Sequence, residues 1–106
     1  MTTAFVVKDS AMTHVRGEDK LTQYATSATI ASGNTMTNFF CKVCGTLMYR
    51  RSSGFPGLSL PRVGTVDDLS LHNTKLKPRV EVWCKDRVAW FGGVEGIKQS
   101  QDQAAL

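Results

Sequence analysis

A chain of 106 residues has room for one domain of ordinary size and not for two independent cores. Its 42% hydrophobic and 21% charged residues are close to globular averages and exclude wholesale disorder. Thirteen Lys and Arg against nine Asp and Glu give a net charge of +4, scattered along the sequence. That balance permits an acidic ligand without demanding nucleic acid.

The predicted elements are short strands punctuated by glycine, proline and serine. Ala4-Phe5-Val6-Val7 is a brief apolar run ahead of the polar Lys8-Asp9-Ser10. Leu21-Thr22-Gln23-Tyr24 alternates apolar and polar side chains, as a half-buried strand does. Ser32-Gly33-Asn34 signals a turn, and the next strand is expected over Thr35–Phe40. Gly45 to Arg50 leads away from it in the same manner, and Gly54-Phe55-Pro56-Gly57 then breaks the chain. Leu58-Ser59-Leu60 and Val63–Val66 follow as further short runs. Asp67-Asp68-Leu69 suits the start of a single helical turn, because acidic side chains favour a helix N-terminus. Arg79–Trp83 reads as a strand with Val80 and Val82 on one face and Glu81 on the other. Arg87–Phe91 is the last strand expected, and residues 99–106 are polar or small and expected to fray as a tail. No long amphipathic helix is evident, so the expected class is all-β: a sandwich, barrel or tent of short antiparallel strands.

The absence of a long apolar run and of a secretory signal leads us to expect a cytoplasmic, non-membrane protein with reduced thiols. Three cysteines argue against a disulfide scaffold, and two of them form Cys41-Lys42-Val43-Cys44-Gly45. Two intervening residues let both thiolates face one ion, while Gly45 suits a backbone with positive φ in a tight knuckle. A redox Cys-x-x-Cys is the rival reading, but it usually opens a helix, and Gly45-Thr46-Leu47-Met48-Tyr49 has strand character. Two thiols left over from a lost site are the other alternative. Cys41 and Cys44 are therefore the candidate metal ligands, half of a four-ligand zinc site. Cys84 reads as a small residue at a strand end, and His14 and His72 read as ordinary polar residues; nothing in their spacing makes them ligands.

Asn38-Phe39-Phe40-Cys41-Lys42-Val43-Cys44-Gly45-Thr46-Leu47 resembles the second zinc knuckle of the glutathione-dependent formaldehyde-activating enzyme family, which also includes the domain of centromere protein V. Gly64-Thr65-Val66-Asp67-Asp68 resembles its Gly-x-Leu-Asp-Asp turn. Val82 to Trp90 resembles its terminal aromatic-Arg-x-x-Trp segment, and Gly93 to Gln99 its closing segment. The resemblance implies an Mss4-like β-tent over residues 1–98 as a single domain. It implies a structural zinc for which Cys41 and Cys44 are the later of two cysteine pairs. It also implies a second, catalytic zinc linked to forming or cleaving the carbon–sulfur bond of S-hydroxymethylglutathione. No residue of this sequence matches the ligands of that second metal or the earlier cysteine pair, so an N-terminally shortened member of the family is expected.

Three functions are compatible with that pattern. The first is carbon–sulfur lyase-type chemistry on a glutathione adduct or related small thiol adduct. The second is a non-catalytic zinc-binding or interaction module, or a remnant, completed by a partner chain or by a homodimer that joins two Cys41–Cys44 pairs in one four-sulfur site. The third is a metal-free small-molecule enzyme that uses Tyr49, Arg50, Trp83, Arg87, Trp90 and Phe91. The last six are otherwise core aromatics and solvated arginines, and Asp67 with Asp68 is otherwise a cap. Lys75, Lys77 and Arg79 form a basic patch too small for a phosphate track, so nucleic acid is not an expected partner.

Overall fold

The computed structural model describes residues 1–28 and 33–103. Seven short strands and several single turns of 3-10 helix account for its regular structure. No helix among the described residues is long and apolar enough to cross a membrane. The chain divides into two compact units, Met1–Asp67 and Asp68–Leu106.

The first unit is one antiparallel sheet. Its strands are β1 (Val7–Lys8), β2 (Leu21–Thr26), β3 (Met36–Cys41), β4 (Leu47–Ser52) and β5 (Leu58–Pro61), in the spatial order β1-β5-β4-β3-β2. Consecutive strands from β2 to β5 are neighbours, as expected of hairpin connections. The all-β class read from the sequence is thus the observed one, and β2 to β5 fall within a residue or two of their expected spans. The N-terminal apolar run pairs only at Val7 and Lys8, with an isolated bridge from Ala4 to Arg62. Val63–Thr65 forms a turn of 3-10 helix rather than a strand, its Thr65 hydroxyl donating to the Arg62 carbonyl at 2.7 Å. Of the turn expected at 32–34, Ser32 lies outside the described residues.

Alternation along β3 and β4 builds the core. Phe39 stands directly opposite Tyr49, and their rings stack with centroids 4.5 Å apart and 15° between planes. With Met36 and Val63 they are the buried apolar side chains among the described residues. The ladder slips once: Phe39 faces Tyr49 but Phe40 faces Leu47, which leaves Met48 as an extra residue on β4. Fully buried Ser59 donates to Asp9 and accepts from the Arg51 Nε at 2.9 Å, and the Arg51 guanidinium lies 5.2 Å from both ring centroids. The hydroxyl thereby stitches β5 to the segment after β1 while cationic and aromatic groups cover the core.

The second unit opens with the expected helical turn, a 3-10 segment over Leu69–Asn73. Asp68 caps it by accepting from the Ser70 N–H at 3.0 Å and the Ser70 hydroxyl at 2.6 Å, which hold its carboxyl below the usual range. β6 (Val80–Glu81) and β7 (Lys98–Gln99) then pair in parallel. Two expectations change here. The strand expected over Arg79–Trp83 shortens to Val80–Glu81; Val80 and Val82 lie on one face and Glu81 on the other as expected, the valines 39% and 38% exposed and the Glu81 side chain 18% exposed where it meets Arg87 at 3.0 Å. Arg87–Phe91 forms no strand: Arg87 is held by that ion pair, the chain turns at Ala89-Trp90, and Trp90 is 85% exposed. The segment read as a tail is hydrogen-bonded through Asp102. Ser100 donates its N–H to the Glu81 carbonyl, the Asp102 carbonyl accepts from Trp83, and the Asp102 carboxylate pairs with Lys85, whose ammonium it stabilises. These bonds hold Trp83 in the left-handed region at φ 57°, beneath the Lys85 ammonium.

Gly93 closes the second unit. Its φ is 83°, and a Cβ there would lie 2.1 Å from Arg87 Nη1 and 2.6 Å from Glu81 Oε2. Gly93→Ala is expected to displace the ion pair and to cost about 1–3 kcal/mol from backbone strain and the disturbed pair. Amide exchange at Lys98 and Ser100, which donate to the β6 side, should accelerate while the β3–β4 amides keep their protection.

Candidate functional site

The cysteine pair lies at the tip of the β3–β4 hairpin. Cys41 is the last residue of β3, residues 42–44 turn, and β4 begins at Leu47. The Gly45 N–H donates to the Cys41 carbonyl at 2.7 Å, and the Cys41 N–H to the Thr46 carbonyl at 2.9 Å. Gly45 at φ 79° makes that closure without a Cβ penalty, which is the reason for the glycine after the second cysteine. Cys44 is exposed and Cys41 half-buried, and neither is in a disulfide.

The Thr46 hydroxyl lies 3.2 Å from Cys44 Sγ, and bonds from that hydroxyl, from the Thr46 backbone and from Cys41 favour the thiolate and lower its pKa. Thr46→Val removes the first of these. The Cys44 pKa then rises, so less thiolate is present at any pH below it. Alkylation by iodoacetamide near neutral pH, with a chelator present, should slow several-fold at Cys44 and stay unchanged at Cys84.

Paired sulfurs with two residues between them, one already biased toward thiolate, are the donor set that zinc prefers. They fit two of its four positions. Among the described residues no group of three or more His, Cys, Asp and Glu side chains stands together to hold a metal. Cys84 belongs to the second unit, where its Sγ lies 3.6 Å from the Glu81 carbonyl at the start of a 3-10 turn.

A cavity of about 790 Å³ opens beside the pair in the first unit. Cys41 lines it together with Met12, His14, Leu21, Met48 and Tyr49. Met48 and Tyr49 are adjacent in sequence and both reach it, which strict strand alternation would forbid; the slip in the β3–β4 ladder allows it. His14, on the segment between β1 and β2, folds over the sheet so that its Nε2 lies 3.0 Å from the Tyr49 hydroxyl. Its Nδ1 lies 3.9 Å from Glu18 Oε1, four residues further along the chain. Burial raises the Tyr49 phenol pKa, with Glu18 and Asp9 adding to the effect and Arg51 opposing it, so the hydroxyl stays protonated. The sequence reading took His14 for an ordinary polar residue. Its partner is 35 positions away, and no local spacing announces the pairing.

The remaining candidates separate. Arg50 donates through Nε to the Asn38 side chain at 2.7 Å, on the sheet face opposite Tyr49. Trp83, Arg87, Trp90 and Phe91 all lie in the second unit, where Trp90 meets Phe91 edge to face and Arg87 is committed to Glu81.

No curated protein and no solved structure matches the chain. The sequence pattern of the glutathione-dependent formaldehyde-activating enzyme family matches residues 1–86, four-fifths of the chain. The chain belongs to the glutathione-dependent formaldehyde-activating enzyme family.

Proposed function

We propose that this protein forms or cleaves the carbon–sulfur bond of a small thiol adduct of an aldehyde, with S-hydroxymethylglutathione as the type substrate. The observation that carries this reading is the family match over residues 1–86, which takes in both the Cys41–Cys44 knuckle and the cavity beside it. Cys41 and Cys44 would hold a structural zinc by their thiolates and so fix the hairpin tip beside the pocket, while no residue of the chain matches the ligands of the family's catalytic zinc. The chain's own contribution is a pocket beside the knuckle in which Met12, Leu21 and Met48 supply apolar wall and His14 and Tyr49 present polar atoms. Three free cysteines support a reducing, cytoplasmic setting.

The test is direct. Formaldehyde and reduced glutathione equilibrate slowly with their adduct, and exchange spectroscopy reads the rate of interconversion. Addition of the purified protein should accelerate that exchange in proportion to its concentration. An exchange rate equal to the spontaneous one, with zinc supplied, overturns the proposal.

A second reading rests on the position of the thiols. The hairpin tip is open to a partner: Cys44 is exposed and Val43 is 77% exposed. Two copies joined tip to tip would place four sulfurs around one zinc, making a zinc-stapled homodimer of an interaction module. Native mass spectrometry separates the two readings, because this one requires one zinc per two chains and a metal-free monomer excludes it.

A further inference from the structure

His14 and Tyr49 are the two polar side chains whose arrangement neither a zinc knuckle nor sheet packing requires. Tyr49 satisfies the core through its ring, yet its hydroxyl is directed to an imidazole that comes from a different segment and is itself faced by a carboxylate. The order carboxylate, imidazole, hydroxyl is that of a proton relay. In the tautomer with the proton on Nδ1 the Tyr49 hydroxyl donates to Nε2; once the imidazole is protonated, Nε2–H donates to the Tyr49 oxygen and the hydroxyl proton is free to point into the cavity. The wall beside this pair carries Arg16 and Lys20, both exposed and neither in an ion pair among the described residues, against one lining carboxylate, Asp67. Such a pocket suits a small organic anion that carries an oxygen able to accept a hydrogen bond.

We propose that the cavity binds an anionic hydroxyalkyl thioether, or the aldehyde and thiol from which it forms, and that Tyr49 is the proton donor to the substrate oxygen with His14 as its relay. The reaction part rests on the function proposed above; the binding part does not. In the forming direction the thiol loses its proton to solvent and its sulfur bonds to the carbonyl carbon. The C=O π pair moves to oxygen, which takes the Tyr49 proton. His14 Nε2 then reprotonates Tyr49 and recovers a proton from solvent, so the net change is addition of S–H across C=O. Cleavage is the reverse.

Two measurements test this. The unreactive probe (2-hydroxyethylthio)acetate, titrated into ¹⁵N-labelled protein, should shift the amides of His14, Leu21 and Tyr49. Its affinity should fall about tenfold in Tyr49→Phe, the loss of one hydrogen bond to a partly buried donor, and should be unchanged in Tyr24→Phe, whose exposed ring lies on β2. In the formaldehyde–glutathione exchange assay, Tyr49→Phe and His14→Gln should each lose on the order of 100-fold of the acceleration. Far-ultraviolet dichroism and melting confirm that each variant is folded. Equal probe affinity in Tyr49→Phe and wild type, or no probe shifts at all, overturns the site. Acceleration that survives in both variants overturns the relay and leaves the proposed function standing. Tyrosine-dependent probe binding without any acceleration overturns the proposed function and leaves the binding site standing.

Discussion

Phe39→Ala is expected to destabilise the protein by about 3–5 kcal/mol, the range for emptying a large aromatic site in a core. Phe39 is 9% exposed, stacks on Tyr49 and lies under the Arg51 guanidinium, so its removal leaves a void bordered by both. Few other buried apolar groups exist among the described residues to take up the loss. Total stability of a domain is about 5–15 kcal/mol, so the variant should lose a large part of its cooperative unfolding transition. Urea denaturation followed by tryptophan-independent dichroism reads the change in the sheet. A loss below about 1 kcal/mol would mean that the ring is not packed as described.

Cys41→Ser has the largest expected effect on composition rather than stability. Half of the two-sulfur donor set disappears, and the alcohol that replaces it is a poor zinc ligand at neutral pH. Zinc co-purifying with the wild-type chain should fall to background in Cys41→Ser, while Cys84→Ser, in the second unit, should keep the wild-type content. Elemental analysis of purified protein gives both values. Zinc retained in Cys41→Ser would assign the metal elsewhere in the chain.

The sheet was legible because its information is local. Alternation in Leu21–Tyr24, turn glycines at 33 and 57, and the β-branched and aromatic content of 35–40 each act within a few residues. The knuckle was legible for the same reason, since its two thiols, its glycine and its flanking strands are contiguous. Alternation set Val80 and Val82 apart from Glu81, but it could not say which face turns inward; Glu81 does, where it meets Arg87 six residues on. Arg87–Phe91 had strand-like composition but no strand to pair with, and composition does not report partners. The His14–Tyr49 bond could not be read from the sequence because its partners stand 35 positions apart, with two strands between them.

The slip at Phe39–Phe40 fixes how the chain tolerates changes in length. Met48 has no partner on β3, so β4 is one residue longer than its neighbour requires. Deleting a single residue at 47 or 48 would regularise the ladder and restore strict alternation between Tyr49 and whatever precedes it. Only one of the two adjacent side chains would then reach the cavity, and the knuckle would be drawn one step along the strand. Point substitutions at Met48 leave this arrangement in place, whereas a frame-preserving codon loss does not. Natural variation at this strand should therefore alter the letter at position 48 far more readily than the spacing between Gly45 and Tyr49.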